Sequence, residues 1–133
     1  IHFLFMEALM ADILDGRKLA GEIKSEVRKE VETLNKIGID VGLALLLVGE
    51  NPASVQYFQA TLSSCKKTGI TAYEFRLPGT ITLNEILNVV NKINIDERIS
   101  GLLILMPLPR HINSRRIINH IVNLLWALCA LCG

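Results

Sequence analysis

The sequence predicts an α/β fold: one domain in which a mainly parallel sheet is flanked by helices in three layers (α/β/α). Two patterns predict it. Segments with apolar residues at helical spacing alternate along the chain with short apolar runs that are typical of buried strands. Glycine or proline stands at most junctions between these segments. The 133 residues suit a single domain, and 50% of them are hydrophobic, which is enough to form a core.

The first half of the chain predicts a helix, a strand and a second helix. Apolar residues recur at helical spacing from Arg17 to about Lys36, and Gly38 ends this helix. Residues 41–48 form an unbroken apolar run, as expected of a strand that is buried on both faces. Pro52 suits the first turn of the second helix, which we expect to run to about residue 68.

The second half repeats this alternation. Residues 70–76 alternate in polarity and predict a strand. Thr82 and Glu85 form a capping-box pattern at the start of a helix that runs to about Ile93. Residues 101–106 predict another buried strand, which the Pro-Leu-Pro sequence stops, and Asn113 or Ser114 caps a last helix.

Composition excludes several classes of function. Fourteen basic and thirteen acidic side chains nearly cancel, so no cluster of positive charge is available to neutralise a nucleic-acid backbone. The charges between residues 17 and 36 interleave in sign and indicate a solvated helix face. Of the three cysteines, Cys65 is interpreted as a small core residue, and Cys129 and Cys132 lack partners for a metal or redox site. We expect no metal and an intracellular, soluble protein, with cytoplasm and mitochondrion both left open.

Three segments carry more specific motifs. They are Ile-Leu-Asp-Gly-Arg-Lys-Leu-Ala at 13–20, Leu-Leu-Val-Gly-Glu-Asn-Pro-Ala-Ser at 46–54 followed by Tyr57, and Ile-Ser-Gly-Leu-Leu-Ile-Leu-Met-Pro-Leu-Pro at 99–109. In order and spacing, over roughly residues 11–121, the chain resembles the bifunctional methylenetetrahydrofolate dehydrogenase/cyclohydrolase family. The family oxidises methylene- to methenyl-tetrahydrofolate with NADP or NAD and then hydrolyses the product to formyl-tetrahydrofolate. The resemblance therefore implies a folate-side domain, which in the family faces a carboxyl-terminal Rossmann domain across the cleft.

The resemblance also implies roles for individual positions. In the family, a Tyr-x-x-x-Lys motif supplies a tyrosine that packs against folate and a lysine that serves the proton transfers of hydrolysis, and a glutamine before Pro-Leu-Pro holds that lysine. Ser54 and Tyr57 match, but the lysine position is Thr61 and the glutamine position is Leu105. A threonine hydroxyl does not titrate near neutral pH, and a leucine side chain forms no hydrogen bonds. Tyr57 is the one catalytic-motif residue carried over, and we predict these substrate-binding residues: Ser54, Tyr57, Thr61, Ile104, Leu105, Met106 and Pro107.

Plainer interpretations of the same residues stay open. Ser54 could be a helix-start residue whose side chain bonds a backbone N–H. Tyr57 could be a half-buried helix aromatic, and residues 104–106 could be the buried end of a strand. Each of these alternatives needs no ligand.

The two ends of the chain fall outside the resemblance. Residues 1–10 are interpreted as an extension that is either non-native or disordered, and residues 122–133 as an apolar tail that departs from the family. The tail is shorter than a membrane span and could instead contact a protein partner. With the Rossmann domain expected to be absent, we expect no NAD(P) binding by this chain alone and weak or no binding of a tetrahydrofolate derivative. Three hypotheses about function stay open: a family domain of uncertain activity, a non-catalytic binding or interaction module, and a non-functional fragment.

Overall fold

A parallel sheet with helices on both faces organises the chain, as the sequence predicts. The computed structural model describes residues 13–121, so the extension at 1–10 and the apolar tail with Cys129 and Cys132 lie outside the described residues. Within that range the elements are α1 Gly16–Lys36, β1 Gly42–Val48, α2 Pro52–Thr68, β2 Thr71–Leu77, α3 Leu83–Asn94, β3 Gly101–Ile104 and α4 Ser114–Ile118. The described strands form one sheet in the order β2-β1-β3, and both pairings are parallel.

The unbroken apolar run of β1 is explained by its central position in the sheet. Ala44, Leu46 and Val48 face a core cluster that α3 and α4 complete. Leu45 and Leu47 face the opposite side, where Phe58 of α2 closes a second cluster. Because successive side chains of a strand point to opposite faces, a strand covered on both faces needs apolar residues at every position.

Most helix ends lie where their capping residues predict. The capping box of α3 is present, with the Thr82 backbone N–H and the Glu85 carboxylate 2.8 Å apart. Gly69 ends α2 in the left-handed conformation with a φ of 80°, which glycine adopts without steric cost. The sequence leaves Asn113 and Ser114 open as the cap of α4, and in the structure Asn113 is the cap.

The third strand is shorter than the sequence predicts. The apolar run reaches Met106, but β3 ends at Ile104. One further ladder bond follows, from the Leu105 N–H to the Leu46 carbonyl oxygen at 3.0 Å. Pro107 has no N–H to donate, so the pairing stops there and the chain turns away from the sheet.

Gly42, the first residue of β1, is expected to tolerate no side chain. A Cβ at this position would overlap the carbonyl oxygen of Arg98 and lie 2.9 Å from Cε2 of Tyr73. We expect Gly42→Ala to lower the free energy of unfolding by about 2 kcal/mol, the usual cost of over-packing. Gly21→Ala is the matched control, because its Cβ meets nothing within 4 Å in the middle of α1 and alanine favours a helix by about 1 kcal/mol. Urea denaturation of both variants checks this order, and equal stabilities would contradict it.

Candidate functional site

The candidate site lies at the carboxyl edge of the sheet, where β1 and β3 end side by side. In parallel α/β sheets this edge is where ligands usually bind, because the loops that follow the strands meet there. The loop after β1 leads into α2 through Gly49 and Asn51, and the loop after β3 begins at Leu105. Between these loops lies an open depression of about 540 Å³, whose lining includes Asn51, Pro107 and Arg110.

Ser54 joins the two sides of this edge. Its side chain is only 2% exposed, and its hydroxyl donates to the Met106 carbonyl oxygen at 2.9 Å. Ser54 lies in the first turn of α2, as the plainer interpretation expects, but its side chain does not bond a backbone N–H, because Asn51 does this instead. The Asn51 side chain accepts from the backbone N–H groups of Ala53 and Ser54 at 3.1 and 3.2 Å. The Ser54 hydroxyl is thereby left to fix the first turn of α2 against the end of β3.

Tyr57 and Thr61 lie one helical turn apart on the outer part of α2. Tyr57 is 38% exposed, and Thr61 is half-buried. The Thr61 hydroxyl donates to the Tyr57 carbonyl oxygen at 2.9 Å, a common bond of threonine inside a helix. The hydroxyl is therefore engaged by the backbone of its own helix.

The end of β3 divides its side chains between the two faces of the sheet. Leu105 is 2% exposed and packs in the α2-side cluster with Phe58, Leu45 and Leu47. Ile104 is equally buried but belongs to the cluster under α3. Met106 is half-buried against that same α3-side cluster, while Pro107 is exposed at the depression. Of the predicted positions 104–107, Leu105 is the one whose side chain packs against α2.

Two supporting residues were not singled out from the sequence. Asn51 caps α2, and an asparagine before a proline at a helix start was a readable signal for this role. Arg76 of β2 places its guanidinium carbon 4.5 Å from the centre of the Phe58 ring. No local pattern indicates that contact, because the sequence does not show which residue of the strand lies beside which residue of the helix.

Other polar groups of the described region serve the structure. His111 Nε2 lies 2.8 Å from the Ile81 carbonyl oxygen, to which it must donate, and His120 Nε2 lies 2.8 Å from Asn91 Oδ1. Cys65 is buried as predicted, and burial raises the pKa of its thiol. Within residues 13–121, His, Cys, Asp and Glu side chains do not gather in threes that could hold a metal ion. In this same range, every helix is too short or too polar to cross a bilayer.

Comparison of the sequence and the structure with known proteins identifies relatives of this chain. Residues 14–124 match the family model described as tetrahydrofolate dehydrogenase/cyclohydrolase, catalytic domain. The bifunctional protein FolD of Moorella thermoacetica is 41% identical over 111 residues, which are 84% of this chain and 40% of that protein. The crystal structure of the bifunctional enzyme FolD from Campylobacter jejuni superposes with a TM-score of 0.82 at 37% identity, covering 84% of this chain and 39% of the other.

A third match comes with a bound cofactor. The Trypanosoma brucei N5,N10-methylenetetrahydrofolate dehydrogenase-cyclohydrolase, whose structure holds NADP and an inhibitor, superposes with a TM-score of 0.80 at 25% identity. The match covers 84% of this chain and 38% of that protein. This chain thus spans about two fifths of the length of the relatives it matches, with 40% for the Moorella protein.

Proposed function

Because this chain belongs to the tetrahydrofolate dehydrogenase/cyclohydrolase family, we propose that residues 13–121 form the folate-side wall of a cleft for a tetrahydrofolate derivative. The domain binds this ligand weakly, through Tyr57 and the residues around the end of β3, and does not catalyse its hydrolysis. Of the three hypotheses that the sequence leaves open, this proposal corresponds to the second, a non-catalytic module, and its ligand is a folate. Oxidation and hydrolysis are the activities of its full-length relatives.

The observation that carries this proposal is the hydrogen bond between Ser54 and Met106. It joins the helix that bears Tyr57 to the strand end that precedes Pro107. A flat ligand that contacts both elements needs them at a constant separation, and a buried hydroxyl–carbonyl bond provides this. Tyr57 keeps 38% of its surface free for such a contact, and aromatic side chains contribute to the binding of flat rings by stacking.

The lack of hydrolysis follows from the two positions that differ from the family motif. General acid–base catalysis needs a group that gains and loses a proton near the working pH. Thr61 offers a hydroxyl that already donates to the Tyr57 carbonyl oxygen, and Leu105 offers a buried aliphatic chain. Neither side chain can carry out or orient a proton transfer. The folate-side wall therefore lacks the lysine and glutamine that perform this step in the family.

The nucleotide cofactor is expected to find no site of its own on the described domain. A pyrophosphate group typically binds to the free N–H groups at the start of a helix. At the start of α2 the N–H groups of Ala53 and Ser54 are already bonded to the Asn51 side chain. We therefore propose that residues 13–121 contact folate and not NAD(P), although the structure of the Trypanosoma brucei relative contains NADP.

A binding titration and a hydrolysis assay on the same preparation test this proposal. We expect calorimetry with tetrahydrofolate to give weak binding, and methenyl-tetrahydrofolate to hydrolyse at its uncatalysed rate. Tyr57→Ala should weaken binding by about tenfold because it removes the stacking ring. Tyr57→Phe keeps the ring and serves as the matched control.

Two results would contradict the proposal. Equal affinities of the wild type and Tyr57→Ala would remove Tyr57 from the folate wall. Catalysed hydrolysis by the wild type would show that another group of the chain moves the proton.

A further inference from the structure

The segment that follows β3 is attached to the rest of the domain at both of its ends. We name residues 107–110, which border the depression of the candidate site, the strap. Just before the strap, the Met106 carbonyl oxygen accepts a hydrogen bond from the Ser54 hydroxyl at 2.9 Å. Just after it, His111 Nε2 donates to the Ile81 carbonyl oxygen at 2.8 Å. Each flank of the strap thus has one side-chain hydrogen bond to another part of the chain.

The strap itself can form few backbone hydrogen bonds. Pro107 and Pro109 have no N–H group, so two of its four residues cannot donate one. Leu108 is half-buried against the core cluster under α3, whereas Arg110 is exposed. A segment with few hydrogen bonds and little core contact depends on its two ends for a fixed position.

The hydrogen bond of His111 joins loops of two strands that are not neighbours. Ile81 lies between β2 and α3, and β1 separates β2 from β3 in the sheet. The acceptor is well fixed, because Ile81 is buried in the same core cluster as Ile112, the residue that follows the imidazole. His111 itself is exposed, so water competes for this bond and the bond adds little to the stability of the whole domain.

We propose that His111 is a positioning residue of the folate wall, which keeps the strap in the place where Pro107 contacts the ligand. This inference rests on the proposed function. Ser54 fixes the start of the strap and His111 fixes its end, so the segment beside the depression has one shape before a ligand arrives. A preorganised surface loses less freedom on binding, and its affinity is higher for that reason.

A tetrahydrofolate titration of the isotope-labelled full chain, followed by heteronuclear NMR, tests this proposal and can measure weak affinities. We expect His111→Leu to weaken binding about fivefold, the effect of one ordinary hydrogen bond. The Ile112 N–H donates to the Pro109 carbonyl oxygen at 2.9 Å, and its hydrogen exchange should become severalfold faster in this variant. His111→Gln offers an amide N–H near the position of Nε2 and should restore both values toward those of the wild type.

The second histidine of the described region provides the matched control. His120 Nε2 lies 2.8 Å from Asn91 Oδ1, near the end of α3. This helix runs from the carboxyl edge of the sheet, where β2 ends, back to the edge where β3 begins. His120→Leu therefore removes a bond of the same length far from the strap, and we expect it to change neither the affinity nor the exchange of the Ile112 amide.

Three results would overturn the proposal. If His111→Leu binds tetrahydrofolate like the wild type, the position of the strap does not affect binding. If His111→Gln binds as weakly as His111→Leu, the hydrogen bond is not the cause, and an equal loss in His120→Leu would indicate a general loss of structure. A wild type that binds no tetrahydrofolate would contradict the proposed function and, with it, the folate role of His111. The exchange of the Ile112 amide would still show whether His111 holds the strap, so the two failures can be told apart.

Discussion

Replacing Thr61 by lysine and Leu105 by glutamine together is expected to create catalysed hydrolysis of methenyl-tetrahydrofolate where the wild type has none. The expected gain is about 10²–10⁴-fold over the wild-type rate, the usual contribution of a positioned acid–base group. The lysine supplies an ammonium group that can exchange a proton next to Tyr57. The glutamine supplies an amide that can bond that ammonium group, as the family resemblance implies.

The two changes should depend on each other for stability as well as for activity. Leu105 is 2% exposed among Leu45, Leu47 and Phe58, so Leu105→Gln alone buries an amide without a partner and should cost about 1–3 kcal/mol. Adding Thr61→Lys offers this amide a partner and should recover part of the loss. A double-mutant cycle measured by urea unfolding gives the coupling between the two side chains directly.

A matched control places the new lysine on the wrong side of the helix. Gln59 is exposed on α2, two residues before Thr61 and therefore about 200° away around the helix axis. Gln59→Lys with Leu105→Gln adds the same charge and the same amide but should give no hydrolysis. If the Thr61→Lys, Leu105→Gln variant binds tetrahydrofolate and hydrolyses nothing, the assignment of these two positions is wrong.

The sequence predicted the fold well because each element is specified locally. The capping box at Thr82 and Glu85, the left-handed Gly69 and the apolar run of β1 all depend on neighbours within a few residues. For these features the residues that decide the structure are adjacent in the chain.

The site could be predicted only in outline, because its contacts join distant parts of the chain. Ser54 could equally bond its own helix, and nothing local indicates a partner 52 residues later. The opposite faces taken by Ile104 and Leu105 depend on the register between β1 and β3, in which Leu46 is paired with Ile104.

The largest loss of stability is expected from Phe58→Ala, because Phe58 is the fully buried aromatic residue by which α2 packs on the sheet. Its ring is fully buried and closes the cluster formed with Leu45, Leu47, Leu103 and Leu105. Removing it loses the transfer free energy of the ring and leaves a cavity, at a cost of about 3–5 kcal/mol. The guanidinium of Arg76, 4.5 Å from the ring centre, loses its aromatic partner as well.

The neighbouring aromatic residue provides the control for this prediction. Tyr57 is 38% exposed on the same helix, so Tyr57→Ala should cost about 1 kcal/mol or less in urea unfolding. This difference separates the two roles that adjacent aromatic residues have on α2, one facing the core and one available to a ligand. Equal losses for Phe58→Ala and Tyr57→Ala would mean that α2 lies on the sheet in a different rotation. In that case the surface assigned to folate would also have to change, because the rotation that buries Phe58 is the one that presents Tyr57.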